Sequence, residues 1–247
     1  MAVLTAASRR LLREMQQQGY TGVDNLEVMQ EAVNYNRYLL ELVRSYAPAR
    51  GKVLDFGAGG GQFAAPLSAL GLDITALEPD RGLQQRLRAQ GLHAVGSTSE
   101  VRDESYDYIY TLNVLEHIDD DVAALRSLHA KLRQGGKLLI YVPAFQVLYT
   151  SMDAKVGHVR RYTRAMLTSR ARDAGFRIDR TAYADSLGFF ATLLFKLIGN
   201  KDGDVSRGAL KLYDRAIFPM SRAVDLLAQR WFGKNLLLTC TKLEDAR

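Results

Sequence analysis

The chain has 247 residues, 47% of them hydrophobic and 24% charged, with 5 prolines; this excludes disorder and suits one large α/β domain or a domain with a small lobe. A single cysteine, Cys240, excludes a disulfide framework and any cysteine-based zinc site, and the histidines at 93, 117, 129 and 158 show no HExxH-type spacing, so no metal is expected. The net charge of +6 lies within residues 155–180, where eight basic residues face two acidic ones, which suggests an anionic acceptor, a membrane surface or nucleic acid.

Residues 1–25 lack periodicity and read as a mobile or loosely docked lead. No apolar h-region follows the arginines at 9, 10 and 13, so no signal peptide is expected. Over 27–46 the apolar residues Val28, Ala32, Tyr35, Leu39, Leu42 and Val43 recur at helical spacing, and Pro48 and Gly51 end the pattern. Strand and helix signals then alternate: strand 53–56, helix 62–69, strand 73–77, helix 80–90, a short run at 92–95, strand 106–112, helix 120–132 and strand 137–142. Repeated units of this kind predict a parallel sheet with helices on both faces and right-handed crossovers. Residues 143–162 have no period. A helix follows over 163–174, with Thr163 as N-cap, then a strand at 176–182, helices at 186–198 and 207–229, and a last strand at 236–242. The expected strand order is 3-2-1-4-5, with the final two strands adding an antiparallel edge.

The string Val53-Leu-Asp-Phe-Gly-Ala-Gly-Gly-Gly61 is a strand entering a tight glycine turn before a helix. Ligands of open α/β sheets bind outside the carboxyl ends of the strands, near the point where strand order reverses. Glu78 stands at the end of the next strand, 21 residues after Gly57, where a carboxylate can accept both hydroxyls of a ribose. The competing reading is a packing turn with a surface glutamate. A dinucleotide GxGxxG read from Gly57 fails at Gln62, GxGxxA read from Gly59 starts too far past the strand, and a Walker A lysine is absent.

The cluster resembles the GxGxG turn of class I S-adenosylmethionine-dependent methyltransferases. Asp55 fits the acid that anchors the turn and the amino-acid end of the cofactor in that family. Tyr106-Asp-Tyr-Ile-Tyr-Thr-Leu-Asn-Val-Leu-Glu-His117 resembles the family's fourth strand and cofactor loop, and Leu132-Arg-Gln-Gly-Gly-Lys-Leu-Leu-Ile-Tyr-Val-Pro143 its glycine turn and fifth strand. The resemblance covers residues 51–143. It implies a Rossmann-like sheet and cofactor contacts from Asp55, Gly57, Gly59, Gly61, Glu78, Pro79, Ser97, Thr98, Asn113 and Leu115. Many relatives carry an acid after the third strand that binds the adenine amine; here Gly96-Ser-Thr-Ser-Glu100 stands instead, leaving Ser97 or Thr98 for that contact. The division implied is a lead and helix over 1–50 and a methyltransferase domain over 51–247, with the cofactor half at 51–143 and substrate and lid elements at 144–235.

Met152-Asp-Ala-Lys-Val-Gly-His-Val-Arg-Arg-Tyr-Thr163 resembles a DxxxGHxRRYT signature of one subgroup of these enzymes. Methyl transfer from a sulfonium is an in-line displacement that needs an aligned nucleophile and a way to remove its proton. Histidine suits this near neutral pH, which makes His158 and His117 the catalytic candidates; the competing readings are a lid hydrogen bond for His158 and a structural role for His117. Arg160 and Arg161 suit an acidic acceptor group, or pair with Asp153 or another acid to fix the loop. Tyr162 lines the pocket or packs. His158 and Arg161 are expected to face the acceptor cavity. Arg170, Arg172, Arg177 and Arg180 also suit an exposed face.

Residues 187–198 are unusually apolar, yet shorter than the roughly 20 residues of a bilayer span. They suit a cap over a hydrophobic acceptor, a dimer face or a membrane contact through 186–211, with Lys196, Lys201, Arg207 and Lys211 at lipid headgroups; the alternative is burial under 207–229. The insertion loosely resembles membrane-associated quinone O-methyltransferases, which lack the GHxRRYT string. The function expected is S-adenosylmethionine-dependent methylation of a small or lipid-like, anionic or polar acceptor, with O-methylation leading, in the cytoplasm or at the inner face of its membrane. An inactive cofactor-binding accessory protein is the alternative. A nucleic-acid methyltransferase is disfavoured by the lack of an NPPY-type tetrapeptide and of a catalytic cysteine pair, and a dinucleotide-dependent hydride transferase ranks lower still.

Overall fold

The computed structural model describes residues 31–198 and 206–243. Helix α1 (Val33–Tyr46) buries Leu39 and Val43 and stops at Ala47, the residue whose helical conformation Pro48 disfavours. The expected lead over 1–25 and the first residues of the expected helix lie outside the described residues. The alternating part of the chain forms β1 (Lys52–Phe56), α2 (Ala64–Ala69), β2 (Asp73–Leu77), α3 (Arg81–Ala89), β3 (His93–Val95), β4 (Tyr106–Leu112), α4 (Asp121–Lys131) and β5 (Leu132–Pro143). After it come α5 (Ser151–Lys155), α6 (Arg164–Asp173), β6 (Phe176–Ala184), α7 (Ser186–Ile198), α8 (Arg207–Leu212), α9 (Phe218–Ala228) and β7 (Asn235–Lys242).

The sheet has seven strands in the order β3-β2-β1-β4-β5-β7-β6. The first five pair in parallel, and β7 is antiparallel to both β5 and β6. The order and the antiparallel edge are as expected. Strand order reverses between β1 and β4, so the glycine turn after β1 opens at the switch point. Alternation along the strands divides the core between the two faces. Leu54, Ile109, Leu138 and Ile140 pack with Leu125 of α4 and Leu167 of α6 on one face. Val53, Tyr108, Leu139 and Tyr141 pack with Leu39 of α1, Leu67 of α2 and Leu87 of α3 on the other.

Three departures from expectation have local causes. Strand β5 begins at Leu132 rather than Lys137; its pairing with β4 shifts register between Tyr106 and Tyr108, and Gly135, at φ +74°, carries the chain through the irregularity. The stretch without period contains α5, whose five residues are too few to display a 3.6-residue repeat; it is held by a capping box between Thr150 and Asp153. The long helix expected over 207–229 is broken by a π-turn at Tyr213–Ile217. Pro219 stands just beyond it, without an N–H for the carbonyl of Arg215 and with a ring that would crowd it.

Helix α9 packs on α7, so part of the apolar insertion is covered by the chain itself. Its remainder is open: Phe190, Leu194 and Leu197 of α7, Leu226 and Leu227 of α9 and Trp231 are exposed. Among the described residues no helix is long and apolar enough to cross a membrane.

Candidate functional site

The glycine turn is built from three positive-φ glycines, Gly57 at +84°, Gly59 at +53° and Gly61 at +87°. At Gly57 a Cβ would lie 2.3 Å from the Val114 side chain, so the turn presses directly on the segment that follows β4. At Gly59 a Cβ would meet nothing within 4 Å, so this side of the turn is open for a ligand to approach the backbone. Glu78, at the carboxyl end of β2, accepts the Gly59 N–H at 2.9 Å and the Asp80 N–H at 3.0 Å. A carboxylate has about four lone-pair positions, so each oxygen keeps acceptor capacity after fixing the turn. Burial raises the Glu78 pKa, and the two backbone hydrogen bonds oppose the rise.

Asp55 lies on β1 opposite Tyr110. It is buried, and its Oδ2 has no hydrogen-bond partner. Burial pushes its pKa up to about 7 against the influence of the Tyr110 hydroxyl, with Glu78 adding to the rise. A cationic group docking beside Asp55 would stabilise its charged form. The open turn, the spare acceptors of Glu78 and the orphaned oxygen of Asp55 fit a nucleoside that carries a cationic amino-acid end.

Beyond Glu78 at the carboxyl end of β2 is a cleft of about 250 Å³ lined by Pro79, Arg81, Gln84, Gly96, Ser97 and Glu100. Of the residues expected to contact the cofactor, Pro79 and Ser97 line this cleft, whereas Thr98 is absent from the lining. Glu100, which sequence reasoning passed over, accepts the Gly96 N–H at 3.0 Å; it supplies a carboxylate near the place where relatives carry their acid. Asn113 has φ +54°, donates its N–H to the Tyr141 carbonyl and meets the Tyr35 hydroxyl with its side chain. Leu115 is fully buried, so only its backbone can serve a ligand, and its carbonyl lies 3.0 Å from the Tyr162 hydroxyl.

The residues from Asp153 to Tyr162 behave differently from one another. His158 is held at Nδ1 by Asp153 Oδ1 (2.8 Å), and its Nε2 lies 3.8 Å from Glu116 Oε1. The His158 and His117 rings meet edge to face with centroids 4.7 Å apart. Burial, with His158 adding, lowers the His117 pKa to about 4, so it is neutral at pH 7. Glu116 is fully buried with neither side-chain oxygen hydrogen-bonded by another of the described residues, and burial raises its pKa to about 8. The structure thus brings the two histidines together.

The acceptor-binding assignments of Arg160, Arg161 and Tyr162 are corrected. Arg161 is only 7% exposed, and its Nε and Nη2 bind the two oxygens of Asp153 at 2.8 and 2.9 Å. It is a buried internal ion pair and does not face a cavity. Arg160 donates to Asp121 and to the carbonyls of Ile118 and Asp119. Tyr162 is fully buried, and its hydroxyl donates to Asp121 at 2.7 Å. Arg170 also pairs with Asp121. Much of the basic segment is therefore spent on two buried aspartates, which tie the loop to the turn after β4.

One cation was missed. Lys234, just before β7, has its Nζ 5.8 Å from the Tyr213 ring centroid, and its backbone N–H donates to the carbonyl of Asp185. Burial lowers its pKa, with the Asp185 carboxylate opposing. Asp185 is itself buried at φ +61° with one orphaned oxygen. Nothing in the local sequence around either residue signals this pairing, which the antiparallel register of β7 on β6 creates by setting Asn235 opposite Ala184.

Comparison with known proteins gives a consistent picture. A family model described as a methyltransferase domain matches residues 27–181. The ubiquinone biosynthesis O-methyltransferase of Xanthomonas axonopodis pv. citri is 31% identical over 103 residues, covering 38% of this chain and 43% of that protein; that of Ruegeria pomeroyi is 27% identical over 94 residues. The chain therefore spans less than half the length of these curated relatives. A SAM-dependent methyltransferase from Thermotoga maritima superposes with a TM-score of 0.60 at 18% identity, covering 90% of this chain and 97% of the other. The 1,6-didemethyltoxoflavin-N1-methyltransferase of Burkholderia thailandensis gives 0.59 at 18% identity, with 99% and 93% covered. At those identities the superpositions establish the fold.

Proposed function

This chain belongs to the methyltransferase-domain family, and from that premise we propose that it methylates a hydroxyl of a small or lipid-like acceptor, with S-adenosylmethionine as donor. Within the family we place it in the subgroup marked by Asp153, Gly157, His158, Arg160, Arg161, Tyr162 and Thr163. The observation that carries the reading is the open glycine turn flanked by Glu78 and the orphaned Asp55. The cofactor supplies a methyl group whose bond to sulfur breaks, leaving its electron pair on sulfur, as the acceptor oxygen bonds the carbon and gives up its proton. Glu78 has acceptors for the ribose, Asp55 for the ammonium end, and the cleft at Pro79 and Ser97 has room for the base. Glu116 and His117 stand two and three residues beyond Val114, which presses against the turn, and the loop after α5 brings His158 to them; we assign activation of the acceptor hydroxyl to this group.

Calorimetry should show binding of S-adenosylmethionine and no binding of NAD, and thermal shift should agree: about 2.7 kcal/mol of stabilisation at a hundred times the dissociation constant. Affinity should rise with pH up to about 7 and level off above it. Below that value Asp55 is protonated and must lose its proton to meet the ammonium group. Failure of the cofactor to bind at any pH would sink the reading.

The lipid-like acceptor class is supported by the exposed Phe190, Leu194 and Leu197 of α7 together with the exposed Lys196 of the same helix; Arg207 and Lys211 of α8 are exposed as well and share one acid, Glu31. We place the protein in the cytoplasm, working against an anionic membrane surface. Vesicles with anionic lipid should co-sediment with it, zwitterionic vesicles should not, and Leu197→Glu should release it. Equal recovery with both lipids would remove this part of the proposal. Consumption of Arg160, Arg161 and Arg170 by internal aspartates weighs against nucleic acid as acceptor.

A further inference from the structure

The turn after β4 and the loop after α5 converge on one point. Ligand atoms of Glu116, His117 and His158 all lie within 4.8 Å of one another, and His158 Nε2 is 3.8 Å from Glu116 Oε1. The convergence is built. The Val159 N–H donates to the Glu116 carbonyl at 2.8 Å, locking the two segments together. The His158 ring is also oriented from behind, through Nδ1 by Asp153, and His117 is held by a hydrogen bond to the Gly157 backbone. Ligating histidines in metal sites are held in this way, by a carboxylate or a carbonyl on the far ring nitrogen that fixes the tautomer. Asp153 is fixed in turn by two bonds from Arg161 and one from the Thr150 N–H.

Glu116 is the independent observation. Its carboxyl group is fully buried, and apart from an approach to its own backbone N–H neither oxygen is hydrogen-bonded by another of the described residues. Leaving such a group unsatisfied is costly, and a buried orphan of this kind calls for a ligand. We propose that Glu116, His117 and His158 bind a first-row divalent cation through one carboxylate oxygen and one nitrogen of each ring. Two imidazoles and a carboxylate are a donor set for zinc or for non-haem iron with coordination positions left open, and they disfavour magnesium and calcium, which prefer all-oxygen shells. Val114 packs against Gly57 one residue before Leu115, so the cation would sit beside the cofactor turn. There an open position can take the acceptor oxygen and ease loss of its proton. That role rests on the methyltransferase reading; the site itself does not. The expectation from sequence that no metal is used rested on histidine spacing, which cannot register a ligand set drawn from two distant segments.

The test is a titration of the chelator-stripped, full-length protein with Co²⁺ alone, read by its visible ligand-field absorption. One equivalent should bind, and Zn²⁺ should displace it. His117→Ala, His158→Ala and Glu116→Gln should each weaken Co²⁺ at least about 30-fold, since loss of even a hydrogen-bonding partner behind a ligand costs about 10- to 100-fold. Arg172→Ala, on an exposed position of α6, should leave it unchanged. Circular dichroism and calorimetry of S-adenosylmethionine binding accompany each variant. A wild type that shows its normal melting transition but no cobalt spectrum overturns the site, as does a spectrum that survives unchanged in both histidine variants. Retained cofactor binding in those cases would leave the functional reading standing; cobalt binding without cofactor binding would do the reverse.

Discussion

Replacing Asp153 by alanine should lower the melting temperature by roughly 6–20 °C. Removing one partner of a buried ion pair costs about 3–5 kcal/mol, and in a chain of this size each kcal/mol is worth about 2–4 °C. The side chain meets three claims at once: the Arg161 fork, the His158 Nδ1 and the Thr150 N–H at the start of α5. Without it a guanidinium that is 7% exposed is left without its anion. Burial alone would raise the Asp153 pKa, but the hydrogen bonds from His158 and Arg161 outweigh that and hold it well below the usual carboxylate range. The folded value is thus depressed, so this stabilisation is present above the unfolded value near 4 and is lost as pH falls below it. The gap between wild type and Asp153→Ala should be full at pH 6 and narrow below pH 4. A calorimetric scan showing a shift of under about 2 °C at pH 6 would contradict the assignment of Arg161 as a scaffold residue.

Glu78→Ala should weaken S-adenosylmethionine binding about 10- to 100-fold. Charge-assisted hydrogen bonds lost from a ribose account for roughly 1.5–3 kcal/mol. The same substitution frees the Gly59 N–H, whose acceptor at 2.9 Å currently fixes the turn, so some of the loss comes from a looser glycine turn. Glu78→Gln keeps one acceptor oxygen and should fall between. Isothermal calorimetry decides the matter, with the melting temperature of the free protein recorded to separate binding from folding. An affinity within threefold of wild type would move the ribose elsewhere.

Elements whose pattern is local were legible in the sequence. The bounds of β2, β4 and α7 coincide with those expected, because each is an apolar run or stripe bordered by a turn residue. The turn at Gly57 and the acid at Glu78 were legible for a similar reason: a strand, a glycine and a carboxylate at fixed spacing constrain where a ligand can lie. The loop from Asp153 to Tyr162 was readable as important and misread in its division of labour. A dense string of cations looks the same in sequence whether it faces an acceptor or a buried aspartate. Asp121, which claims Arg160, Tyr162 and Arg170, sits about 40 residues or more away from each and inside an ordinary helical pattern. Glu116 was hidden in the same manner: its burial and its lack of donors are properties of what surrounds it in space. Lys234 is set beside Asp185 by the register of β7 on β6, with Asn235 opposite Ala184, and strand bounds alone do not give that register.

The position of β7 also bears on how the molecule is made. Among the described residues it is the last strand, and yet it lies inside the sheet, between β5 and β6. During synthesis β5 emerges with one edge unmatched, and β6 follows without its only neighbour. The ribosome adds roughly 5–20 residues per second, so about ninety residues between the end of β5 and the start of β7 leave that edge open for roughly 5–18 s. An exposed strand edge of this kind pairs readily with other chains. The nascent protein is therefore a natural client for chaperones that shield extended segments, and a truncation that removes β7 should yield aggregates rather than a smaller folded enzyme.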